Sequence, residues 1–254
     1  METILRQYQQ QQHQQEPSLS SGELFLPTTH TQQPTLTGTS VLAIKCIDGI
    51  VMATDTLTSW GSLARFRSIQ RVTKVNNDTI CGGSGDYADF QQICQTLDEL
   101  SEHEHSRDDD KLRTPKEIHQ YLTRVMYERR NKFDPLWNAL IVGGWRSKYE
   151  APFLGYVDLI GTNYESDSIA TGYGAYIAQP ILRKFIDERG GVTYTVKEAR
   201  EVLIDAMRVL VYRDARTSDK IQISTVDRDG VTIEEPMIIE TKWLYKGFDI
   251  KNDK

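Results

Sequence analysis

The sequence predicts an α+β fold in which two stacked sheets are covered by helices on their outer faces. Strand patterns and helix patterns occur in separate groups along the 254 residues, not in strict alternation. One group of strands begins the folded region, a second lies in its middle and a hairpin ends it, with two helices in each interval. Grouping of this kind favours α+β over a parallel α/β sheet, so we expect a four-layer αββα sandwich.

Ahead of the first strand, the composition differs from that of the rest of the chain. Residues 7–15 are mostly glutamine, and proline, serine and glycine follow over 17–22. A segment with so little apolar content cannot offset its ordering entropy, so we expect residues 1–30 to be disordered, either as a tail or as a removable pro-segment. No apolar stretch follows a basic start, and we do not expect a secretory signal peptide.

Two hairpins are predicted next. Residues 40–47 and 50–55 are rich in β-branched and apolar side chains, and an Asp-Gly pair separates them. This dipeptide is a strong signal for a two-residue hairpin turn. Residues 71–75 and 79–84 form a similar pair around an Asn-Asn-Asp turn. We expect these four strands to be antiparallel.

A pair of helices is expected after the hairpins. Apolar residues over 87–100 recur at three- and four-residue spacing, which predicts an amphipathic helix. The polar and charged stretch 102–113 predicts a loop. Thr114 then provides an N-cap, and Pro115 provides the first position of the next helix.

The second half of the chain repeats this order. Turn residues and apolar periodicity predict strands over 137–144, 153–161 and 166–171, helices over 175–188 and from Thr195 to about 210, and a final hairpin over 221–226 and 231–235. Residues 237–254 have no clear period but contain many apolar and aromatic side chains. We expect this tail to contact a partner chain, with packing on its own domain as the alternative.

Composition disfavours several classes of function. The net charge of −6 at pH 7 disfavours nucleic-acid binding, which needs a basic surface. No apolar run reaches the roughly 18 residues that span a bilayer, so no membrane segment is expected. The three cysteines, Cys46, Cys81 and Cys94, lack C-x-x-C spacing and fit neither a zinc site nor a disulfide framework. Phosphate-binding and metallohydrolase motifs are also missing, so we expect no cofactor and no metal.

The junction between the low-complexity tail and the first strand is the best candidate for a chemical site. Gly38 and Thr39 lie there, and the second strand ends at Asp55. A threonine released at its own N-terminus combines a hydroxyl nucleophile with an α-amine base, and a preceding glycine allows the tight bend that self-cleavage needs. The alternative is structural: Gly38-Thr39 is a turn, and Asp55 forms a buried ion pair with Arg71.

The sequence also resembles the β-type subunits of the proteasome, a family of N-terminal-nucleophile hydrolases with an αββα fold. The resemblance extends from about Thr31 into the C-terminal tail, and its motifs are TGTSVLAIKCIDGIVMATD, SGDYADF, NALIVGGW, LGYVD, ATGYGAY and AMRVLVYRDAR. It implies a 20S core particle of stacked heptameric rings, in cytoplasm and nucleus, that degrades ubiquitin-tagged proteins. The implied partners are the other α and β subunits together with assembly factors, and neither nucleic acid nor a membrane is implied.

The family's catalytic set is only partly present. The resemblance places the nucleophile on Thr39, the two carboxylates on Asp55 and Asp214, and the glycine whose N–H forms the oxyanion hole on Gly85. A backbone N–H in a Gly-rich turn is a suitable oxyanion donor. The family's catalytic lysine, in contrast, corresponds to Arg71.

Three positions depart from the family pattern. Arg71 replaces the lysine, Tyr173 replaces a serine that orients the amine, and Thr217 replaces a second serine. Arginine stays protonated at every accessible pH and cannot exchange a proton during the reaction. A tyrosine ring does not fit a position built for a small hydroxyl, whereas Thr217 keeps the hydroxyl. We therefore expect a catalytically silent, structural β subunit. The alternatives are an active threonine endopeptidase that uses Thr39 and a free-standing amidase of the same fold.

The resemblance also divides the chain. Residues 31–38 resemble a short extension that a non-catalytic member of the family keeps after maturation, which implies processing at His30 and Thr31. We expect residues 39–236 to form the domain with the N-terminal-nucleophile-hydrolase fold. The tail, residues 237–254, is expected to make inter-subunit contacts.

Overall fold

The computed structural model describes residues 33–106, 112–146 and 151–243. The strands are Leu36–Gly38 (β1), Val41–Lys45 (β2), Gly49–Asp55 (β3), Thr58–Trp60 (β4), Leu63–Phe66 (β5), Val72–Asn76 (β6), Thr79–Asp86 (β7), Asn138–Arg146 (β8), Ala151–Val157 (β9), Asn163–Glu165 (β10), Ser168–Ala170 (β11), Lys220–Asp227 (β12), Gly230–Ile233 (β13) and Met237–Ile238 (β14). The helices are Tyr87–His105 (α1), Pro115–Asn131 (α2), Gly174–Ile177 (α3), Gln179–Glu188 (α4) and Val196–Arg213 (α5).

Within these residues the strands form one sheet of eight and one of six. The larger sheet has the order β10-β9-β8-β7-β1-β4-β5, with β6 paired to β7. The smaller has the order β11-β2-β3-β12-β13, with β14 paired to β12. The strand pairs described are antiparallel, as expected for the two opening hairpins. The segment just before Thr39 is therefore the interior strand β1 and not a turn.

Three apolar clusters hold the four layers together. Because side chains alternate across a strand, Val41 and Ala43 of β2 pack between the two sheets, while Leu42 and Ile44 pack against the helices of the smaller sheet. A strand buried on both faces needs a continuous apolar run, which is what the sequence shows there. A third cluster joins the larger sheet to α1 and α2. The predicted αββα sandwich is confirmed.

Two predicted helix boundaries were wrong. Helix α1 continues through His105 into the stretch that was expected to be a loop. The helix expected over 175–188 is divided at Ala178 into α3 and α4. Pro180 explains the division, because it has no N–H with which to continue the helical hydrogen bonds. The N-cap at Thr114 is confirmed, and its hydroxyl accepts from the backbone N–H of the third helical residue.

The C-terminal boundary also differs from the expectation. Strand β14 pairs with β12, and Ile239 is 3% exposed, so the domain continues beyond residue 236. The tail after residue 243 lies outside the described residues, as do the segment 1–30 and the processing position at His30 and Thr31. No helix in the described part of the chain combines the length and apolarity needed to cross a bilayer.

Candidate functional site

Thr39 lies between β1 and β2, and its hydroxyl contacts the turn that follows α5. The hydroxyl donates to Asp214 Oδ2 at 2.6 Å and lies 3.4 Å from the hydroxyl of Ser40. Thr39 is half-buried, whereas Asp214 is 5% exposed. The fold therefore brings together the two residues that the sequence marks as nucleophile and carboxylate, although they are 175 positions apart.

Asp214 is the C-cap of α5, and its carboxylate is well supplied with donors. The Thr217 hydroxyl donates to Oδ2 at 2.8 Å, and the Arg216 N–H donates to Oδ1 at 2.9 Å. A carboxylate at a helix C-terminus is disfavoured by the helix dipole, and these donors offset that effect. Thr217 therefore provides a hydroxyl contact to Asp214 beside Thr39.

Asp55 and Arg71 form a buried ion pair. Arg71 Nη2 donates to Asp55 Oδ1, and both side chains are almost completely shielded from solvent. Asp55 Oδ2 accepts from the backbone N–H groups of Leu57 at 3.2 Å and Ser218 at 3.1 Å. Burial raises the pKa of Asp55 above its usual value, whereas the Arg71 guanidinium and the two N–H groups lower it. Removing one partner of such a pair typically costs about 3–5 kcal/mol.

The rest of the Arg71 guanidinium binds backbone carbonyl groups. Nη1 donates to the carbonyls of Thr39 at 3.2 Å and Gly83 at 3.3 Å, and Nη2 donates to the carbonyl of Ser40 at 3.1 Å. Nε and Nη2 also donate to the Asp55 carbonyl, at 3.2 and 3.1 Å. Arginine has five N–H donors and no acceptor, so this group holds backbone in place but cannot accept a proton from a hydroxyl.

The strand that precedes the threonine fills the groove between β4 and β7. It pairs with β4 over Leu36–Gly38, and Gly38 lies opposite Gly85 of β7. The N–H of Thr35, just before the strand, donates to Asp86 Oδ2 at 2.7 Å. A second extended peptide cannot pair with β7 at this position while β1 occupies it.

Tyr173 lies beside the site rather than in it. Residues 171–174 contact the chain just after Thr39, because the Gly174 N–H donates to Ser40 Oγ at 2.8 Å and the Val41 N–H donates to the Thr171 hydroxyl at 2.9 Å. The Tyr173 side chain is nevertheless 59% exposed, and no hydrogen bond joins it to Thr39 in the structure described. The ring was expected next to the amine, whereas Tyr173 is largely exposed to solvent.

Ser40 is the contact that sequence reasoning misses. Its side chain is buried, its hydroxyl binds the turn at Gly174, and its carbonyl accepts from Arg71. The only signal in the sequence is a polar residue at the start of an otherwise apolar strand. Among residues 33–106, 112–146 and 151–243, no group of three or more histidine, cysteine, aspartate or glutamate side chains is arranged to hold a metal ion.

The arrangement orients the Thr39 hydroxyl toward Asp214. An N-terminal threonine uses its own α-amine as the base. In the uncleaved chain, the nitrogen of Thr39 is in the peptide bond with Gly38, the last residue of β1. The Arg71 guanidinium, which donates to the Thr39 carbonyl, is fixed by the Asp55 carboxylate and by four carbonyl groups in all.

Comparison with known proteins agrees with the motifs and the fold. The family model described as "Proteasome subunit" matches residues 35–226. Proteasome subunit beta type-4 of Xenopus laevis is 47% identical over 227 residues, which cover 88% of this chain and 92% of that protein. Proteasome subunit beta type-4 of Dictyostelium discoideum is 45% identical, with coverage of 93% and 87%. Proteasome subunit beta type-7 of Saccharomyces cerevisiae is 42% identical, with coverage of 85% and 84%. Given a match over most of its length and the αββα architecture, this chain belongs to the proteasome subunit family.

Proposed function

We propose that this chain is a non-catalytic, structural β-type subunit of the 20S proteasome core particle, supporting ring assembly for ubiquitin-dependent protein degradation. Its partners are the other α and β subunits and assembly factors, and it acts in cytoplasm and nucleus. Family membership supports the assembly role, since the relatives above are named as proteasome subunits. The geometry of the degenerate site supports its catalytic silence.

The engagement of Arg71 is the observation that carries the proposal of silence. In the family pattern this position holds a lysine that exchanges a proton with the threonine. Arg71 is 1% exposed, is paired with Asp55 and donates to the carbonyls of Thr39, Ser40 and Gly83. Because a guanidinium stays charged and has no lone pair available, general-base work at this position is excluded.

Strand β1 occupies the groove beside Thr39 in the uncleaved chain. A peptide substrate in extended form needs free backbone groups with which to pair, and β1 already uses those of β4 and β7 beside Thr39. The strand is covalently continuous with the threonine. Both the nucleophile's amine and the neighbouring groove are therefore unavailable while the Gly38–Thr39 bond is intact.

One observation favours the alternative, an active threonine endopeptidase. The Thr39 hydroxyl donates to Asp214 at 2.6 Å, and Thr217 donates to the same oxygen, which is the geometry of an oriented nucleophile. Orientation alone does not remove the hydroxyl proton or release the amine. We therefore favour the structural role.

The decisive experiment compares Thr39→Ala with the unchanged chain, each as the sole copy in the assembled particle. We expect each peptidase activity of the particle to stay the same once it is normalised to particle concentration, because Thr39 does no chemistry. The catalytic subunits of the same particle serve as internal positive controls. An epoxyketone or β-lactone probe that labels this chain at Thr39 would overturn the proposal.

Maturation gives a second, separate prediction. We expect the chain in the particle to begin near Thr31, because residues 31–38 resemble a retained extension and β1 is an integral strand. Mass spectrometry of the intact subunit from isolated particles measures the N-terminus directly. A start at Thr39 would contradict the prediction, whereas a start a few residues from Thr31 would correct only the assigned position.

A further inference from the structure

The Arg71 side chain lies close against Gly38. A Cβ at residue 38 would overlap with Arg71 Cδ and would lie 2.9 Å from Nε and 3.1 Å from Nη1. The backbone of Gly38 lies in strand β1 and is not among the glycines with positive φ. A side chain at residue 38 would therefore have to displace Arg71, whereas no left-handed conformation calls for a glycine there.

The same arginine also fixes the backbone on the other side of the Gly38–Thr39 bond, which we call the junction. Its Nη1 and Nη2 donate to the carbonyls of Thr39 and Ser40, the two residues that follow Gly38. Nη1 also donates to the carbonyl of Gly83 on β7, and the Arg71 carbonyl accepts from the Gly83 N–H at 2.9 Å. The guanidinium thus joins the junction to β7 from inside the protein.

Asp55 holds the guanidinium in this position. The ion pair and the two bonds to the Asp55 carbonyl anchor the guanidinium to β3. Arg71 as a whole is 1% exposed. A lysine cannot reproduce these contacts, because its ammonium is a single point with three donors, whereas the planar fork reaches several acceptors at once.

We propose that Arg71 is a lock on the Gly38–Thr39 junction: its stem covers Gly38, and its guanidinium clamps the carbonyls of Thr39 and Ser40, so that β1 stays in the sheet and the junction stays uncleaved. The proposal rests on the proposed function, and it adds a mechanism by which the extension becomes a permanent strand.

The lock acts on a definite chemical step. For self-cleavage, Thr39 Oγ attacks the carbonyl carbon of Gly38, the C–N bond breaks as a C–O ester bond forms, and the hydroxyl proton ends on the released nitrogen. Water then hydrolyses the ester to give the Gly38 carboxylate and the free hydroxyl. The Thr39 hydroxyl must leave Asp214 to make this attack, and the bonds from Arg71 to the Thr39 and Ser40 carbonyls oppose any accompanying movement of the backbone.

Hydrogen exchange of the full-length chain tests the lock. In Arg71→Lys, we expect amides in peptides covering residues 34–41 to exchange at least about tenfold faster than in the unchanged chain, because hydrogen bonds from a charged donor are lost. Arg67→Lys is the matched control, since Arg67 is an exposed arginine four residues away. The control should leave exchange in 34–41 unchanged.

Gly38→Ala provides a test that leaves the ion-pair residues in place. The new methyl group should displace the Arg71 stem and accelerate exchange over 39–41, with at least about a tenfold loss in the folding equilibrium constant from overpacking. In the Arg71→Lys background, the effect of Gly38→Ala should be smaller, because a lysine stem without the clamped head group can move aside. Additive effects of the two changes would contradict the steric part of the lock.

The outcomes separate the lock from the proposed function. Unchanged exchange over 34–41 in Arg71→Lys would overturn the lock while leaving catalytic silence intact. Probe labelling at Thr39 of the unchanged chain would overturn catalytic silence whatever the exchange rates. If Arg71→Lys does not fold, the Gly38→Ala exchange result decides, and normal exchange over 39–41 in that variant rejects the lock.

Discussion

Asp55 and Asp214 both have a carboxylate side chain, but the two carboxylates bind different kinds of partner. Asp55 binds the guanidinium of Arg71, so its charge is compensated by a full positive charge. In the structure described, Asp214 accepts from the hydroxyls of Thr39 and Thr217 and from a backbone N–H. The Arg71 cation therefore pairs with Asp55 and not with Asp214, the carboxylate that binds the Thr39 hydroxyl. This division suits a structural role better than a catalytic one.

At the same scale, Gly85→Ala should destabilise the protein far more than Gly61→Ala. Both glycines have positive φ, +95° and +58°, so an alanine at either costs roughly 1–2 kcal/mol. At Gly85 the new Cβ would also overlap with the carbonyl oxygen of Trp137, whereas nothing lies within 4 Å of it at Gly61. Overpacking adds about 1–3 kcal/mol. Urea denaturation of the two variants measures the difference, and equal losses would show that the backbone near Trp137 yields freely.

Residue identities in the site could be predicted from the sequence, but their roles could not. The motifs bring Thr39 and Asp214 forward as a pair, and the fold places them within hydrogen-bonding distance. The outward direction of Tyr173 depends on the backbone of one turn, which no periodicity encodes. The space over Gly38 is likewise visible only when Arg71 is placed in three dimensions.

At the scale of elements, the contact between α2 and β9 contains a buried histidine. His119 is 1% exposed, its Nε2 donates to the Tyr156 carbonyl at 3.0 Å, and its ring lies edge-on to Phe153. Burial lowers the pKa of His119 below its usual value, and Lys116 acts in the same direction, while the Tyr156 carbonyl and Glu165 oppose them. The folded protein therefore favours a neutral ring.

This burial predicts a loss of stability in mild acid. Well above pH of about 6.5 the ring is neutral in both the folded and unfolded chain, and His119 contributes no pH dependence. As the pH falls below that value, the unfolded chain takes up a proton that the folded chain does not, so the free energy of unfolding falls by at most about 1.4 kcal/mol per pH unit. Below the folded pKa the loss stays constant.

His119→Gln should flatten the pH dependence between pH 7 and 5, because the amide can still donate to Tyr156 but does not titrate. Urea denaturation at several pH values measures the slope. His103→Gln is the control, since His103 is exposed near the end of α1. An identical slope in His119→Gln and the unchanged chain would show that the ring is protonated without cost.

Long elements with a clear period were predictable, and short ones were not. Strands β2 and β3 are buried on both faces, so their apolar runs are unmistakable. Strands β1, β4 and β5 have only three or four residues and owe their pairing to neighbours that are distant in sequence. Their local composition therefore carries no strand signal, although β1 turned out to be central to the site.

At the scale of the whole molecule, one hairpin presents several large apolar side chains to solvent. The hairpin of β4 and β5 exposes Trp60, Leu63 and Phe66 at 52%, 61% and 42%, and Arg65 stacks on two of these rings. A cleft of about 530 Å³ beside this hairpin is lined in part by Ile238 and Trp243. Clustered exposed apolar side chains are a feature of interfaces, which agrees with a chain that belongs to the proteasome subunit family.

The structure divides the C-terminal segment into a part that the domain needs and a part that it does not. Strand β14 pairs with β12, and Ile239 is buried, so a chain ending at Pro236 should lose at least about 1.5–3 kcal/mol of stability. Trp243 is 67% exposed and touches the domain through the ring of Tyr212. A chain ending at Lys242 should lose no more than about 1 kcal/mol.

We expect the chain that ends at Lys242 to fold normally but to pair half-particles poorly. Trp243 lines the cleft beside the exposed hairpin, and the segment after it contains further aromatic residues, so its removal takes away apolar anchors without opening the domain core. Native gels of cells with the truncated chain as sole copy should show accumulated half-particles, while thermal denaturation of the isolated chain stays near normal. The chain ending at Pro236 is the contrasting control and should fail in both measurements. Full assembly with the Lys242-terminated chain would show that the tail does not hold the two halves together.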